Sequence, residues 1–450
     1  MDFTIFYLCG CVPLKSRDSK KNSQNIKTSI SQQILHFEFL GIFCVLKKFN
    51  TKKAICPLDK GVNTMANQLL FELFSNENVV SAVVGNNTNT KINYCTIGCC
   101  SGLFEYYLPE LGFQSSVSCE IDPKRAGFYT EMHPGTHMVC KSVADPDAKA
   151  EIIDRCKKTN VQLLIYTLPC QGSSTLAGKN AREKNKDPRN WLFEDVFDIA
   201  EQVKPKWFIG ENVIGYYKNK KCGKTSEQIM QKRAKRIGYN VKFVTLDASD
   251  YGTAQKRKRR YMLAYLGNKK WNVPAPTTPK PKTIRDAIGH LPSLEAGQDS
   301  GILYHKAPNV RADLVELVRH TPTGCNIKNN PAPYNIAYKK DGKTPIKYKF
   351  AGVFERSGWD EPAHTITTGS ASIMATFGIH PGNFVGYDEN GLPLYDNARP
   401  RTVLEQILLS GLPETFRFPD DMSETQMRIA LGEIALPLML KMFIENRPTD

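Results

Sequence analysis

The stretch Val161–Ser174 reads VQLLIYTLPCQGSS, and the fold follows from how it is understood. Leu163, Leu164, Ile165 and Tyr166 form a short continuous apolar run. Such a run suits a strand covered on both faces of a sheet, although periodicity alone does not separate it from a buried helical segment. Pro169, Cys170 and Gln171 follow, then a loop rich in Gly, Ser and Lys. A cysteine just past the end of a buried strand stands where open α/β sheets place their reacting groups. Cys170 is therefore the candidate nucleophile. The competing reading is a small buried hydrophobe, which is what most free cysteines are.

The 450 residues suffice for two or three domains. A hydrophobic content of 41% with 10% aromatics describes a globular chain and excludes a disordered one. The formal charge of +15 favours a polyanionic partner, nucleic acid before membrane, since no long apolar span is present. Thirteen cysteines without regular spacing do not form a disulfide framework. Cys9/Cys11 and Cys99/Cys100 lack the spacing of a zinc site, so no metal is expected. Residues 1–64 differ in texture. Their apolar patches are too short to span a bilayer, and Asp2 stands where a signal peptide carries positive charge. They read as an extension of unknown role, with Met65 opening the domain.

Lys91–Ile97 reads as a first strand, Gly98–Gly102 as a tight turn, and Leu103–Leu111 as a helix. Strand, glycine-containing turn and helix N-terminus together make a cofactor cradle, because a bare backbone lets a ligand approach. The dinucleotide pattern G-x-G-x-x-G is absent, which argues against a nicotinamide-dependent dehydrogenase. The next strand, Ser115–Cys119, ends in Glu120-Ile121-Asp122. A carboxylate at the tip of a second strand is placed to accept both ribose hydroxyls of a nucleoside cofactor. Asp145, after the next segment, is a candidate for an adenine amino group.

Behind Cys170, the loop Gly172–Arg189 carries Lys179, Arg182, Lys184, Lys186 and Arg189, and reads as a mobile lid over an anionic substrate. Trp191–Val203 has helical apolar spacing, and Trp207-Phe208-Ile209 is a strand followed at once by Glu211-Asn212-Val213. Ser226–Ile237 reads as a basic helix and Val241–Leu246 as a strand. In the run Gln255–Arg260, alternation puts Gln255, Arg257 and Arg259 on one face of an extended segment that leads into the strand Tyr261–Leu266. Beyond Trp271 comes a proline-rich linker, then irregular β structure with a strand over Lys347–Phe354. Arg399–Leu409 is helical with Thr402 as N-cap, and Ser423–Glu445 is a closing helix.

This ordered set resembles the DNA cytosine-5 methyltransferase family. The resemblance runs from Lys91 to about Glu445 and rests on Pro169-Cys170-Gln171, Glu211-Asn212-Val213 and Gln255-x-Arg257-x-Arg259. Glu120-x-Asp122, the segment Arg399–Pro413 and the segment Gly432–Pro437 support it. It implies a Rossmann-like α/β fold with a mixed sheet and a smaller β-rich target-recognition domain. The implied activity is methyl transfer from S-adenosylmethionine to C5 of a flipped-out cytosine in duplex DNA, through attack of Cys170 on C6. Glu211 would hold ring N3, Arg259 the carbonyl oxygen, and Arg257 would support lid and site. Cofactor contacts would come from Gly98, Ser101, Gly102, Glu120, Ile121, Asp145, Pro169, Leu192 and Gly432. Substrate contacts would come from Gln171, Ser174, Asn212 and Gln255.

The domains so implied are an extension over 1–64, a catalytic and cofactor-binding domain over 65–271, target recognition over 272–398, and a C-terminal return to the catalytic domain over 399–450. The resemblance further implies an intracellular monomer, cytoplasmic in a bacterial or phage-infected host, acting on double-stranded DNA, with room for a cognate restriction endonuclease. Three departures stand out. Cys99, Cys100 and Ser101 fill a turn in which the family usually has more glycine; Gln162 replaces the acid that opens the nucleophile strand; and Glu433 replaces an asparagine after Gly432. The competing readings are a tRNA cytosine-5 methyltransferase and a catalytically impaired DNA-binding protein.

Overall fold

The computed structural model describes residues 91–171, 173, 187–278, 280–346, 354–371 and 378–449, all within one compact unit, Asn89–Asp450. The expectations for residues 1–64, Ser174, Lys179, Arg182, Lys184, Lys186 and the strand over 347–353 lie outside the described residues.

Seven strands build a mixed sheet. β1 (Ile92–Ile97), β2 (Phe113–Cys119), β3 (His137–Val139), β4 (Leu163–Tyr166) and β5 (Trp207–Asn212) run parallel. A two-residue hairpin, β6 (Lys220–Lys221) and β7 (Lys224–Thr225), precedes β8 (Tyr239–Asp247) and β9 (Lys258–Leu266). β9 joins antiparallel to both β5 and β8, and the order is β3-β2-β1-β4-β5-β9-β8. The chain builds outward from β1 to β3, returns to β4 and continues the other way. The reversal lies between β1 and β4, and at such a switch point the crevice beyond the strand ends receives the ligand. The Gly98 turn and Cys170 flank that crevice.

Both faces of the sheet are covered, which explains the unbroken apolar run of β4. Leu164 and Tyr166 join Cys95, Ile97, Phe208 and Met262 on one face. Against it pack α2 (Pro146–Lys158), α3 (Phe193–Val203), α4 (Ile214–Lys218) and α5 (Ser226–Arg236), while α1 (Pro123–Met132) follows β2. Leu163 and Ile165 join Tyr94, Ile209, Tyr261 and Leu263 on the other. That face is sealed by the chain's end: α8 (Val403–Leu409), α9 (Glu424–Glu433) and α10 (Pro437–Glu445). Between them, α6 (Ile284–Ile288), α7 (Ala312–Arg319) and the hairpin β10 (Phe384–Tyr387) with β11 (Pro393–Tyr395) belong to an irregular region. Its own apolar cluster is small, and Arg356 ties it together by donating to the carbonyls of Val318, His380, Pro381 and Asp396.

Two expected elements differ. Leu103–Leu111 is not an α-helix but a run of turns ending in a 3-10 turn at Pro109–Leu111. Pro109 has no N–H to donate to Glu105, so an α-helix through this stretch loses a bond and meets the proline ring. Ser423–Glu445 is not one helix. It breaks before Pro437, where Leu436 is extended (ψ 127°), because proline disfavours the helical conformation of the residue before it and itself suits a helix's first position.

Among the described residues no helix is long and apolar enough to cross a membrane.

Candidate active site

Cys170 sits half-buried on a turn closed by the Ser173 N–H donating to its carbonyl, 2.9 Å. The turn is braced from three elements. Asn212, at the end of β5, donates through Nδ2 to the Leu168 carbonyl at 2.9 Å. Ser173 donates to Asn190 Oδ1 at 2.8 Å and accepts from Asn219 Nδ2 at 2.7 Å. Gly215 passes so close that a side chain there would meet the Ser173 carbonyl at 2.4 Å. Gln171 accepts from Arg189 at 3.1 Å, so the residue after Cys170 is held from the start of the next described stretch. A side chain on a turn held this way is presented in one geometry.

Sheet register brings Glu211 and Arg259 to the same crevice. Glu211 lies opposite Tyr261, and Arg259 is two residues away on β9, hence on the same face. Arg259 Nε meets Glu211 Oε1 at 3.1 Å. Glu211 is only 7% exposed. Burial pushes its carboxyl above the ordinary range, against the pull of Arg259 and Arg257. Burial also raises the Cys170 thiol; Glu211 adds to the rise, and Arg259 and Arg257 oppose it. The three groups therefore feel one another electrostatically.

The other members of the alternating run serve the scaffold. Arg257 is buried and donates to the Ile366 carbonyl at 2.7 Å and the Gly432 carbonyl at 3.1 Å. Burial brings its guanidinium down to about 9. Gln255, expected among the substrate contacts, accepts from the Ile366 N–H at 3.1 Å and donates to Ser410 Oγ at 3.4 Å. Gln255 and Arg257 thus pin the segment around Ile366 beneath Arg259.

On the far side of the crevice, the Gly98–Gly102 turn is left-handed at Gly98 (φ 69°), Cys100 (φ 50°) and Gly102 (φ 79°). The Gly102 carbonyl contacts His133 Nε2 at 2.8 Å, and a side chain at 102 would meet that nitrogen at 2.6 Å. Ser101 is buried. Glu120 is buried at the tip of β2, accepting from the Cys100 N–H at 2.9 Å and the Asp122 N–H at 3.0 Å. Ile121 beside it is 64% exposed, an apolar face for a flat ring. Bare glycine backbone, a buried carboxylate and an exposed apolar residue fit a nucleoside cofactor. Asp145 accepts from the Asp147 and Ala148 N–H groups, capping α2, while Leu192 opens α3 and packs on the core beneath. Pro169 immediately precedes the nucleophile turn. Gly432 is bare because a side chain there would meet the Thr367 backbone at 2.3 Å. Gln162 lies at the opposite end of β4 from Cys170, donating to Asn160 Oδ1.

His133, Asn190, Ser173, Asn219 and Gly215 escaped sequence reading. Ser173 lies within the Cys170 turn itself, Asn190, Gly215 and Asn219 brace it from 20 to 49 residues away, His133 braces Gly102 from 31 residues away, and none stands in a recognisable motif.

The residues 97–445 match the model of the C-5 cytosine-specific DNA methylases. Relatives include Type II methyltransferase M1.HgaI of Avibacterium volantium, 32% identical over 76% of this chain and 94% of the relative. Type II methyltransferase M1.HphI of Haemophilus parahaemolyticus is 31% identical over 79% and 86%. In fold, the chain is similar to the solved structure of the Entamoeba histolytica methyltransferase EhMeth (TM-score 0.53, 14% identity, 79% of this chain and 97% of that one). With the model matched over 97–445 and relatives above 30% identity along most of their length, the chain belongs to the C-5 cytosine-specific DNA methylases.

Proposed function

We propose that the chain methylates C5 of a flipped-out cytosine in a specific duplex sequence through a covalent bond between Cys170 and C6. The observation that carries the mechanism is the convergence of Cys170, Glu211 and Arg259 at the sheet edge formed by β4, β5 and β9. Cytosine C5 is a poor nucleophile. Addition of the Cys170 thiolate to C6 breaks the ring's conjugation and pushes an electron pair toward C5 and N3. Glu211, its carboxyl raised by burial, holds a proton at N3 as charge develops there. Arg259, paired with Glu211, donates to the cytosine carbonyl oxygen. S-adenosylmethionine supplies the electrophilic methyl group. Loss of the C5 proton to solvent and departure of the Cys170 thiolate restore the aromatic ring. Such attack needs an unstacked base, so the target leaves the duplex.

Gly98, Ser101, Gly102, Glu120, Ile121 and Pro169 would hold the cofactor, with Glu120 on the ribose and Ile121 against the adenine. Asp145, Leu192 and Gly432 border this site as supports. Asn212 positions the nucleophile turn; Gln171 and Ser174 would meet the phosphates around the flipped base. Residues 272–398 would read sequence in the major groove, framed by the catalytic domain over 65–271 and the return over 399–450. The protein would work as a cytoplasmic monomer, alongside a cognate restriction endonuclease.

Transfer of tritiated methyl to duplex DNA, compared with tRNA, tests the substrate. Duplexes carrying 5-fluorocytosine test the mechanism, since fluorine cannot leave as a proton. A denaturant-stable protein–DNA adduct is expected, and none with Cys170→Ala. Equal labelling of tRNA, or an adduct that survives Cys170→Ala, would overturn the proposal.

A further inference from the structure

Glu433 stands where the family usually has asparagine, and the structure gives this substitution a partner. Arg125, in the first turn of α1, reaches across to Glu433 at the end of α9, Nη2 to Oε1 2.5 Å. The second oxygen of Glu433 is buried and makes no hydrogen bond among the described residues. Both side chains sit at the rim of the cofactor turn. Glu433 and Arg125 act on the Cys100 thiol, and Glu120 and Asp122 act on Glu433. Three carboxylates and one guanidinium leave this rim two negative charges in excess.

The two species that must exchange here differ by one charge. S-adenosylmethionine carries a sulfonium, an ammonium and a carboxylate, net +1. The spent cofactor, S-adenosylhomocysteine, carries a neutral thioether in place of the sulfonium, net 0. An anionic rim that asparagine would not provide favours the first over the second, and in a partly buried setting Coulomb interactions reach across several ångströms.

We infer that the Arg125–Glu433 pair sets discrimination between charged cofactor and neutral product, with Glu433 supplying the preference and Arg125 moderating it. This inference rests on the proposed cofactor position over Gly98–Gly102. The consequence is weaker competition by the product against fresh cofactor, independent of the DNA sequence read.

Equilibrium binding of three ligands, without DNA or turnover, tests it. These are S-adenosylmethionine, S-adenosylhomocysteine and an analogue in which a protonated aminomethyl carbon replaces the methylsulfonium. In Glu433→Gln, both cationic ligands are expected to weaken about fivefold to tenfold while the neutral one stays within about twofold. Arg125→Gln should move the cation-to-neutral ratio the opposite way. In the unaltered protein, raising salt from about 0.05 to about 0.5 M should compress the ratio, a readout that needs no variant to fold. Equal weakening of all three ligands in Glu433→Gln, or a salt-independent ratio, overturns the inference. Failure of the cofactor position itself is distinguishable: then the unaltered protein and Glu120→Ala bind S-adenosylmethionine equally.

Discussion

At the scale of single residues, the site works by setting charges against burial. Burial raises both Cys170 and Glu211, Glu211 adds to the rise at Cys170, and Arg259 with Arg257 limits both. Each group serves two purposes, and Glu211→Gln separates them. Removing the carboxylate takes away a charge that disfavours the thiolate, so the midpoint of Cys170 alkylation by iodoacetamide should move to lower pH. Methyl transfer should nevertheless fall about a hundredfold or more, because the proton partner of N3 is lost. An alkylation midpoint that stays put or moves up would show that Glu211 does not face the thiol. Cys170, Glu211 and Arg259 were legible because each belongs to a short motif abutting an apolar run. The division of labour within Gln255-x-Arg257-x-Arg259 was not. Alternation assigns a shared face, and only the packing around Ile366 and Gly432 decides that Arg257 donates to their carbonyls while Gln255 accepts from the Ile366 N–H.

At the scale of elements, the cofactor turn is the most constrained piece of backbone. Gly102 combines a left-handed φ of 79° with His133 Nε2 where a side chain would go. Gly112 has a similar φ of 81° and open space around it. Gly102→Ala is therefore expected to lower cofactor affinity about tenfold and to cost several degrees in thermal midpoint. Gly112→Ala should cost only backbone strain, about 1 kcal/mol, and leave cofactor binding intact. Equal effects would mean that His133 does not support the turn. Cys100, left-handed without being glycine, holds the same backbone at a cost, so Cys100→Gly should stabilise the protein slightly in denaturant titration. The turn was legible from its two glycines, whereas the helix expected after it was not formed. Apolar spacing over Leu103–Leu111 is consistent with a helix, and Pro109 denies it the hydrogen bond.

At the scale of the whole molecule, the end of the chain completes the catalytic core. α8 to α10 seal one face of the sheet, and a buried charge network joins them to the irregular region. Arg399 contacts Glu405 through two hydrogen bonds, 3.0 and 2.9 Å, with His380 close by. Although burial pushes the Glu405 carboxyl up, Arg399 and His380 outweigh it and hold it at about 2. An ordinary glutamate titrates at about 4.3, so the pair contributes stability above that pH and loses it as pH falls toward 2. Glu405→Gln should cost about 3 kcal/mol or more at pH 7, since it leaves Arg399 buried without its counter-charge. The gap to the unaltered protein should narrow below pH about 4. A gap independent of pH would place the effect in packing.

The residue order alone determined that Cys170, Glu211 and Arg259 belong together, and that a glycine turn and Glu120 precede them. It did so because the ends of parallel strands and the start of an antiparallel neighbour gather at one edge, and because short runs with period-two or unbroken hydrophobicity announce those strands. Tertiary structure alone decided which polar groups face the ligand and which are spent on holding the backbone. Arg257, Gln255 and Asn212 brace the nucleophile side; His133, Asn190 and Asn219 brace the turns from unremarkable positions. It also decided that Glu433 has Arg125 opposite it. Buried polar atoms must find partners, and those partners lie close in space with no sequence spacing to mark them.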